Sequence, residues 1–138
     1  FASHVANSQG WLVWDKLNGE GFSLADVELA YTSLDVASRL FRLSRTATFA
    51  EGKNHPTQKP IELMKWCLGF LPKAKTICDP FMGSGTTGVA CAKIGKHFIG
   101  IEREPSYFDI ACRRIEAALD APDMFVEPPK PAKQEAML

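Results

Sequence analysis

Apolar and polar positions change period several times along the 138-residue chain. In GWLVWDK (10–16) an apolar core, WLVW, runs into a charged exit, which predicts a short strand. A Gly/Asn turn follows over 17–21, and Ser23 stands where it can cap a helical turn over 24–28. ELAYTSL (28–34) and SRLFRLSR (38–45) alternate in part and are rich in Leu, Tyr, Phe and Thr. They predict the two strands of a hairpin. A helix over 24–33 competes, because ADVELA has helical propensity. Residues 46–54 are polar and read as a loop. Pro60 then stands where the first helical residue should be. Ile61, Leu63, Met64, Cys67, Leu68 and Leu71 fall mostly on one helical face, up to a stop at Pro72. KTICD (75–79) predicts a strand, 86–94 a helix closed by Gly95, and HFIGIE (97–102) another strand. Pro105 opens a last helix that reaches about Leu119. The tail beyond it has four prolines and few core formers, which predicts a disordered or loosely packed end.

From 76 to 119 the order is strand, glycine loop, helix, strand, helix, as in the nucleotide-binding half of a doubly wound α/β sheet. Within the loop, DPFMGSGTTG (79–88), residues 83–88 fit G-x-G-x-x-G. Gly83 and Gly85 let the backbone turn sharply and approach a ligand closely. The helix start adds unpaired N–H groups and a partial positive charge. Glu102, nineteen residues after Gly83, stands where a carboxylate can accept bonds from both ribose hydroxyls. Asp79 discriminates between ligands. A nicotinamide dinucleotide would lay its pyrophosphate on the helix start, and Asp79 would face two negative charges. S-adenosylmethionine has no phosphate and carries an ammonium and a sulfonium, so the same acid meets a cation. The loop therefore favours adenosylmethionine over NAD; a glycine-rich turn with no ligand is the plain alternative.

Composition adds limits rather than chemistry. The length is that of one domain, and 46% hydrophobic with 23% charged residues is ordinary for a soluble globular protein. Sixteen basic and sixteen acidic residues cancel, so net charge argues neither for nor against nucleic acid. No apolar run approaches the ~18 residues of a membrane span, and there is no signal-peptide pattern, so a cytoplasmic location in a bacterium, or of a phage-encoded product, is expected. Cys67, Cys78, Cys91 and Cys112 lie apart in apolar stretches, and His4, His55 and His97 do not cluster with them. Buried reduced thiols are expected, and no metal site.

HPTQKP (55–60), DPFMGSGTTG and FIGIE, in this order and spacing, resemble the DNA amino-methyltransferases that modify adenine N6 or cytosine N4. More narrowly, they resemble the permuted, beta-class-like group in which the cofactor half follows the catalytic half. The likeness runs from about Gly10 to Leu119, dense in three blocks and thin between 17 and 50. It implies a Rossmann-like adenosylmethionine-dependent sheet in permuted order, acting on double-stranded DNA and allowing a dimer. Residues 1–54 would be late strands of the catalytic half, 55–119 the cofactor half, and 120–138 a Pro-rich tail. Asp79, Pro80 and Phe81 would begin the cofactor loop, with Phe81 near the adenosine. Gly83, Ser84, Gly85 and Thr86 would wrap the methionine part, and Glu102 would hold the ribose. His55, Thr57 and Lys59 resemble the family's separate cofactor-contacting block. Lys59 can meet the methionine carboxylate and Thr57 can donate a hydroxyl bond, while His55 serves equally as a turn cap. Cys78, Cys91, Ile94, Tyr107 and Phe108 read as packing, with an edge toward the cleft as the alternative for Tyr107.

One part of the family pattern is missing. Transfer depends there on a block Asp/Ser/Asn-Pro-Pro-Tyr/Phe, which holds the target amine and stacks on a flipped base. The single Pro-Pro here, Pro128-Pro129, stands between Glu127 and Lys130 and reads as linker. In the permuted order the block precedes GWLVWDK, so the chain is expected to be the C-terminal part of a methyltransferase. It would be a fragment of a longer protein, a decayed prophage product or half of a split enzyme, and the start at Phe1 favours the first. The strand carrying the block would lie beside TICD, so that strand is expected to have an open edge. Arg39, Arg42, Arg45 and Lys53 form a modest basic stretch, readable as DNA-backbone contacts or as a solvated face. Adenine N6 is the first choice of target. An NAD-dependent oxidoreductase fragment and an inactive methyltransferase remnant are the alternatives.

Overall fold

Strand β1 (Gly10–Asp15) buries Leu12 and Trp14 on one face and needs a backbone partner on each side. It finds both. In the computed structural model, which describes residues 10–18, 25–44 and 58–121, β1 is the middle of a three-stranded sheet. β2 (Val27–Thr32) pairs with it antiparallel, Trp11 opposite Tyr31 and Val13 opposite Leu29. β3 (Arg39–Arg42) pairs with it parallel, Trp14 opposite Phe41.

The expected hairpin between the second and third strands is therefore not formed. The link between them crosses the end of β1 instead, and Gly10 makes the crossing possible. A Cβ at Gly10 would lie 1.9 Å from the Val36 carbonyl oxygen. The Trp11 N–H also donates to Ser38 Oγ (3.1 Å). The competing helix is overturned for the same reason: over 27–32 the six-residue ladder to β1 outweighs the helical propensity of ADVELA. The capped turn expected over 24–28 is likewise not helical at 25–28. The loop over 46–54 and almost all of the Pro-rich tail lie outside the described residues, as do His55, Thr57, Arg45 and Lys53.

The second half follows the expected order closely. Helix α1 (Ile61–Gly69) has Pro60 as its N-cap, extended at φ −62° and ψ 141°, one position earlier than expected. It ends at Gly69, capped by Phe70, before Pro72 is reached. β4 (Thr76–Asp79), α2 (Thr86–Lys93), β5 (His97–Gly100) and α3 (Pro105–Asp120) complete it. β4 and β5 are parallel, with Ile77 opposite Phe98 and Asp79 opposite Gly100. Leu68, Ala90 and Cys91 form the buried centre between α1 and α2, with Ile61, Met64, Ile77 and Phe98 packed against it. Gly88 lets α2 lie close on β5 and α3, because a Cβ there would sit 2.4 Å from Ile115 and 2.7 Å from Phe98.

Helix α1 joins the two sheets. Its Trp66 ring packs on Phe41 of β3 (5.2 Å between centroids) and on Phe70 (5.1 Å). Among the described residues β4 pairs only with β5. β2 likewise pairs only with β1. Among the described residues no helix is long and apolar enough to cross a membrane, and no group of three or more His, Cys, Asp and Glu is arranged to hold a metal ion.

Candidate functional site

The ladder between β4 and β5 does not stop at the strand ends. Ile101 N–H donates to Asp79 O (2.9 Å) and Met82 N–H to Ile101 O (3.0 Å). This draws the glycine loop over the end of β5 and brings Glu102 beside it. Gly83 N–H then donates to Glu102 Oε2 (2.9 Å), and Glu104 N–H to Glu102 Oε1 (2.8 Å). A carboxylate offers about four acceptor sites, so two backbone donors fix its direction without exhausting it. Asp79 is fixed in the same way. Its Oδ1 accepts from Phe81 N–H (3.0 Å) and its Oδ2 from the Thr87 hydroxyl (2.7 Å). The acid thus ties the strand end to the first turn of α2, a structural duty added to the charge argument.

Gly83 and Gly85 have φ of +53° and +78°, the left-handed region that glycine adopts without penalty. Gly85 is also the N-cap of α2 and presses on α3, where an added Cβ would lie 2.8 Å from Ala111 Cβ. From α3, Arg114 Nη1 reaches back to the loop. It donates to Ser84 O (2.5 Å) and Ser84 Oγ (3.0 Å), with a longer contact to Thr86 Oγ1 (3.4 Å). Ser84 in turn donates to Gln58 Oε1 (3.4 Å).

A cavity of about 320 Å³ opens over this loop, within the range of small-molecule pockets (~300–1,000 Å³). Met64, Met82 and Phe81 give it apolar surface. Gln58, Ser84, Thr86 and Thr87 give it hydroxyl and amide groups, Asp79 and Glu102 its acids, and Lys59 a cation. Phe81 is 87% exposed, an unusual cost for a phenyl ring that nothing covers. A second, largely apolar cavity of about 260 Å³ lies beside it, against Leu12, Trp14, Leu29 and Trp66. The two share Lys59 and Met64.

Of the expected cofactor residues, Lys59, Asp79, Phe81, Gly83, Ser84, Thr86 and Glu102 line one cavity. Pro80 lines a neighbouring cavity of about 460 Å³ with Phe81, Ile101, Glu102 and Arg103. Gly85 shapes the loop from behind. Lys59 does not point freely into the site: its Nζ lies 2.7 Å from Glu28 Oε2 on β2. Lys16 Nζ holds the other oxygen of Glu28 at 3.0 Å. Burial works to raise the Glu28 carboxyl, but the bonds to Lys59 and Lys16 outweigh it and hold it below the usual glutamate value. Gln58, Met64, Met82, Thr87, Arg114 and Glu28 were not foreseen. Gln58 stood inside HPTQKP, and Thr87 inside the loop motif; Arg114 and Glu28 carried no local signal.

Of the basic stretch, Arg39 and Arg42 are described, and these two do not share one face of the sheet. Arg39 and Arg42 lie three apart on β3, so their side chains leave opposite sides of the sheet. Arg42 Nε is 3.3 Å from Asp15 Oδ2, while Arg39 is exposed.

Comparison with known proteins fits this geometry. Type II methyltransferase M2.DpnII of Streptococcus pneumoniae is 48% identical over 64 residues, 46% of this chain and 24% of that protein. Type II methyltransferase M.HinfI of Haemophilus influenzae is 39% identical over 88 residues, 58% of this chain and 24% of that protein. The chain thus spans about a quarter of the length of these relatives. The crystal structure of the M1.HpyAVI–SAM complex superposes with a TM-score of 0.61 at 30% identity, over 76% of this chain and 60% of that one. The family model described as DNA methylase, of the N6/N4 type, matches residues 11–113. A match over most of the chain, loop and strand ends included, shows that the chain belongs to the DNA methylase family.

Proposed function

We propose that this chain is the S-adenosylmethionine-binding part of a DNA methyltransferase that modifies an exocyclic amino group, adenine N6 before cytosine N4. The observation that carries the proposal is the pair of acids at the glycine loop. Asp79 and Glu102 both line the cavity and both are fixed by loop donors. A pyrophosphate there would face the fixed Asp79 carboxylate, whereas a sulfonium and an ammonium would be attracted by it; Glu102 serves a ribose in either case. The M1.HpyAVI structure, whose complex holds SAM, supports the same choice. The NAD alternative finds no support in the family match.

When bound, adenosylmethionine supplies a methyl on a cationic sulfur, open to in-line attack by an amino nitrogen. The chain's own residues position and screen it. Glu102, held by two backbone donors, offers acceptors to ribose hydroxyls. Phe81 offers a bare ring to adenine. The loop over 83–86 faces the methionine part, and Asp79 contributes negative charge to the cavity. The amine's grip would come from the Pro-Pro-Tyr-type block that the sequence lacks, with DNA as the substrate and Arg39 as an exposed contact to its backbone. Residues 10–44 belong in this proposal to the catalytic half and 58–119 to the cofactor half.

Titration calorimetry of the 138-residue chain with adenosylmethionine and with NAD tests the binding. Adenosylmethionine should bind and NAD should not; the reverse result overturns the reading of Asp79. In a methylation assay on unmethylated DNA the chain alone should transfer nothing. Labelled methyl appearing in DNA would refute the assignment of the amine's grip elsewhere.

A further inference from the structure

Lys59 is the cation shared by the two cavities, and Glu28 holds it toward the apolar one. Glu28 lines that cavity and not the cavity over the glycine loop. We infer that Glu28 is an internal competitor for Lys59: it occupies the ammonium that a ligand's carboxylate would otherwise engage, and so sets how tightly the site holds a carboxylate-bearing ligand. The inference rests on the proposed adenosylmethionine site.

The geometry around Glu28 makes the exchange cheap. Glu28 has two ammonium partners, and they differ in freedom. The Lys16 side chain is 7% exposed and its Nζ sits 5.8 Å from the centre of the Trp14 ring. The Lys59 side chain is 38% exposed. Lys59 is therefore the partner that can leave, and Glu28 keeps Lys16 when it does. No carboxylate is stranded, so the large penalty of an unpaired buried charge does not arise. What is given up is a half-exposed ion pair, and such pairs are weak. The Glu28–Lys59 bond also ties β2 to the segment before α1, so releasing it loosens one link between the two sheets. Removing the Glu28 charge should then act in opposite directions on two readouts. Stability should fall, because the clasp is lost and the buried Lys16 loses its carboxylate partner. Affinity for a carboxylate ligand should rise, because a competitor is lost. A residue with a purely structural role would lower both.

The experiment compares calorimetric affinities for adenosylmethionine and for its decarboxylated form, which keeps the sulfonium and amine. Glu28→Gln should tighten adenosylmethionine by roughly twofold to fivefold, the span of an exposed ion pair. It should leave the decarboxylated form unchanged, while the melting temperature drops. Lys59→Gln should weaken adenosylmethionine and erase the effect of Glu28→Gln in the double variant. The inference is overturned by unchanged or weaker adenosylmethionine binding in Glu28→Gln, by equal tightening of the decarboxylated form, or by an effect that survives Lys59→Gln. If Glu28→Gln does not fold, Glu28→Asp retracts the carboxylate by one methylene and should give a smaller tightening of the same sign. A wild-type chain that binds neither compound would overturn the cavity assignment itself, a distinct result from the three above.

Discussion

Arg114 is the strongest test of how the glycine loop is built. It lies thirty residues beyond Ser84 in sequence, yet one nitrogen reaches the Ser84 carbonyl, the Ser84 hydroxyl and, at longer range, the Thr86 hydroxyl. Ser84 and Thr86 are 4% and 7% exposed, so water cannot replace the donor without rearrangement. Arg114→Met keeps the apolar stem and removes the charge. A hydrogen bond from a charged donor is worth about 1.5–3 kcal/mol, and acceptors left buried without it cost a similar amount. The three contacts share one Nη1, so they count as little more than one good bond, and the expected loss is about 2–3 kcal/mol. For a chain of 138 residues each kcal/mol lowers the melting temperature by roughly 3–5 °C. A drop of about 6–15 °C follows. Adenosylmethionine affinity should fall with it, because the Ser84 peptide is no longer held from behind, and Arg114→Lys should recover only part of both. Differential scanning calorimetry and titration calorimetry on the same samples read the two effects. A melting temperature within 1 °C of wild type for Arg114→Met, judged against the ~6 °C minimum expected, would show that the α3 contact does not hold the loop.

Three further outcomes are expected. Gly85→Ala should destabilise by at least about 2 kcal/mol, since the left-handed φ of +78° and the 2.8 Å approach to Ala111 both oppose a side chain; Gly69→Ala, with open space around it and a helical position, should gain roughly 0.5–1 kcal/mol. Thermal melts that rank these two variants the other way would refute the loop geometry. Because Glu28 is held below the usual glutamate value, its stabilising contribution is present above about pH 4.3 and lost as pH falls through the lower folded value. The stability gap between wild type and Glu28→Gln should therefore close in acid, and a gap that widens below pH 4.3 contradicts the ion pairing. Burial pushes the Cys67 thiol to about 11 and raises that of Cys91, so both should resist alkylation at pH 8 while exposed Cys78 reacts. Mass spectrometry finding Cys67 or Cys91 modified as fast as Cys78 would contradict the packing of α1 on α2.

The second half of the chain was legible because its signals are local. A β-prone TICD, a loop with two glycines that must be left-handed, and a helix closed by Gly95 each declare themselves within ten residues of sequence. Gly83, Gly85 and Gly95 all take the positive φ that those positions require. The first half was less legible because its decisive contact is not local. Its strands were recognisable by alternation, but which strand pairs with which depends on Gly10 making room for the Val36 carbonyl, twenty-six residues away. Strand periodicity carries no information about partners, so the nearest pair in sequence was the natural and mistaken choice.

The same distinction runs through the site. Asp79 and Glu102 could be named from spacing, and charge alone argued for a cationic ligand. What spacing could not give is what holds these acids in place. Phe81 N–H and Thr87 serve Asp79, while Gly83 and Glu104 N–H groups serve Glu102. Three of these four donors, Phe81, Gly83 and Thr87, belong to the loop motif that the acids brace. A ligand cation is thus met by charges whose positions were set by folding, so little reorganisation is needed on binding. Lys59 is the exception, because its partner Glu28 belongs to the other sheet. An acid that serves the loop can be found from the loop's own sequence, whereas the tether of a cation across two sheets becomes visible only when both are folded together.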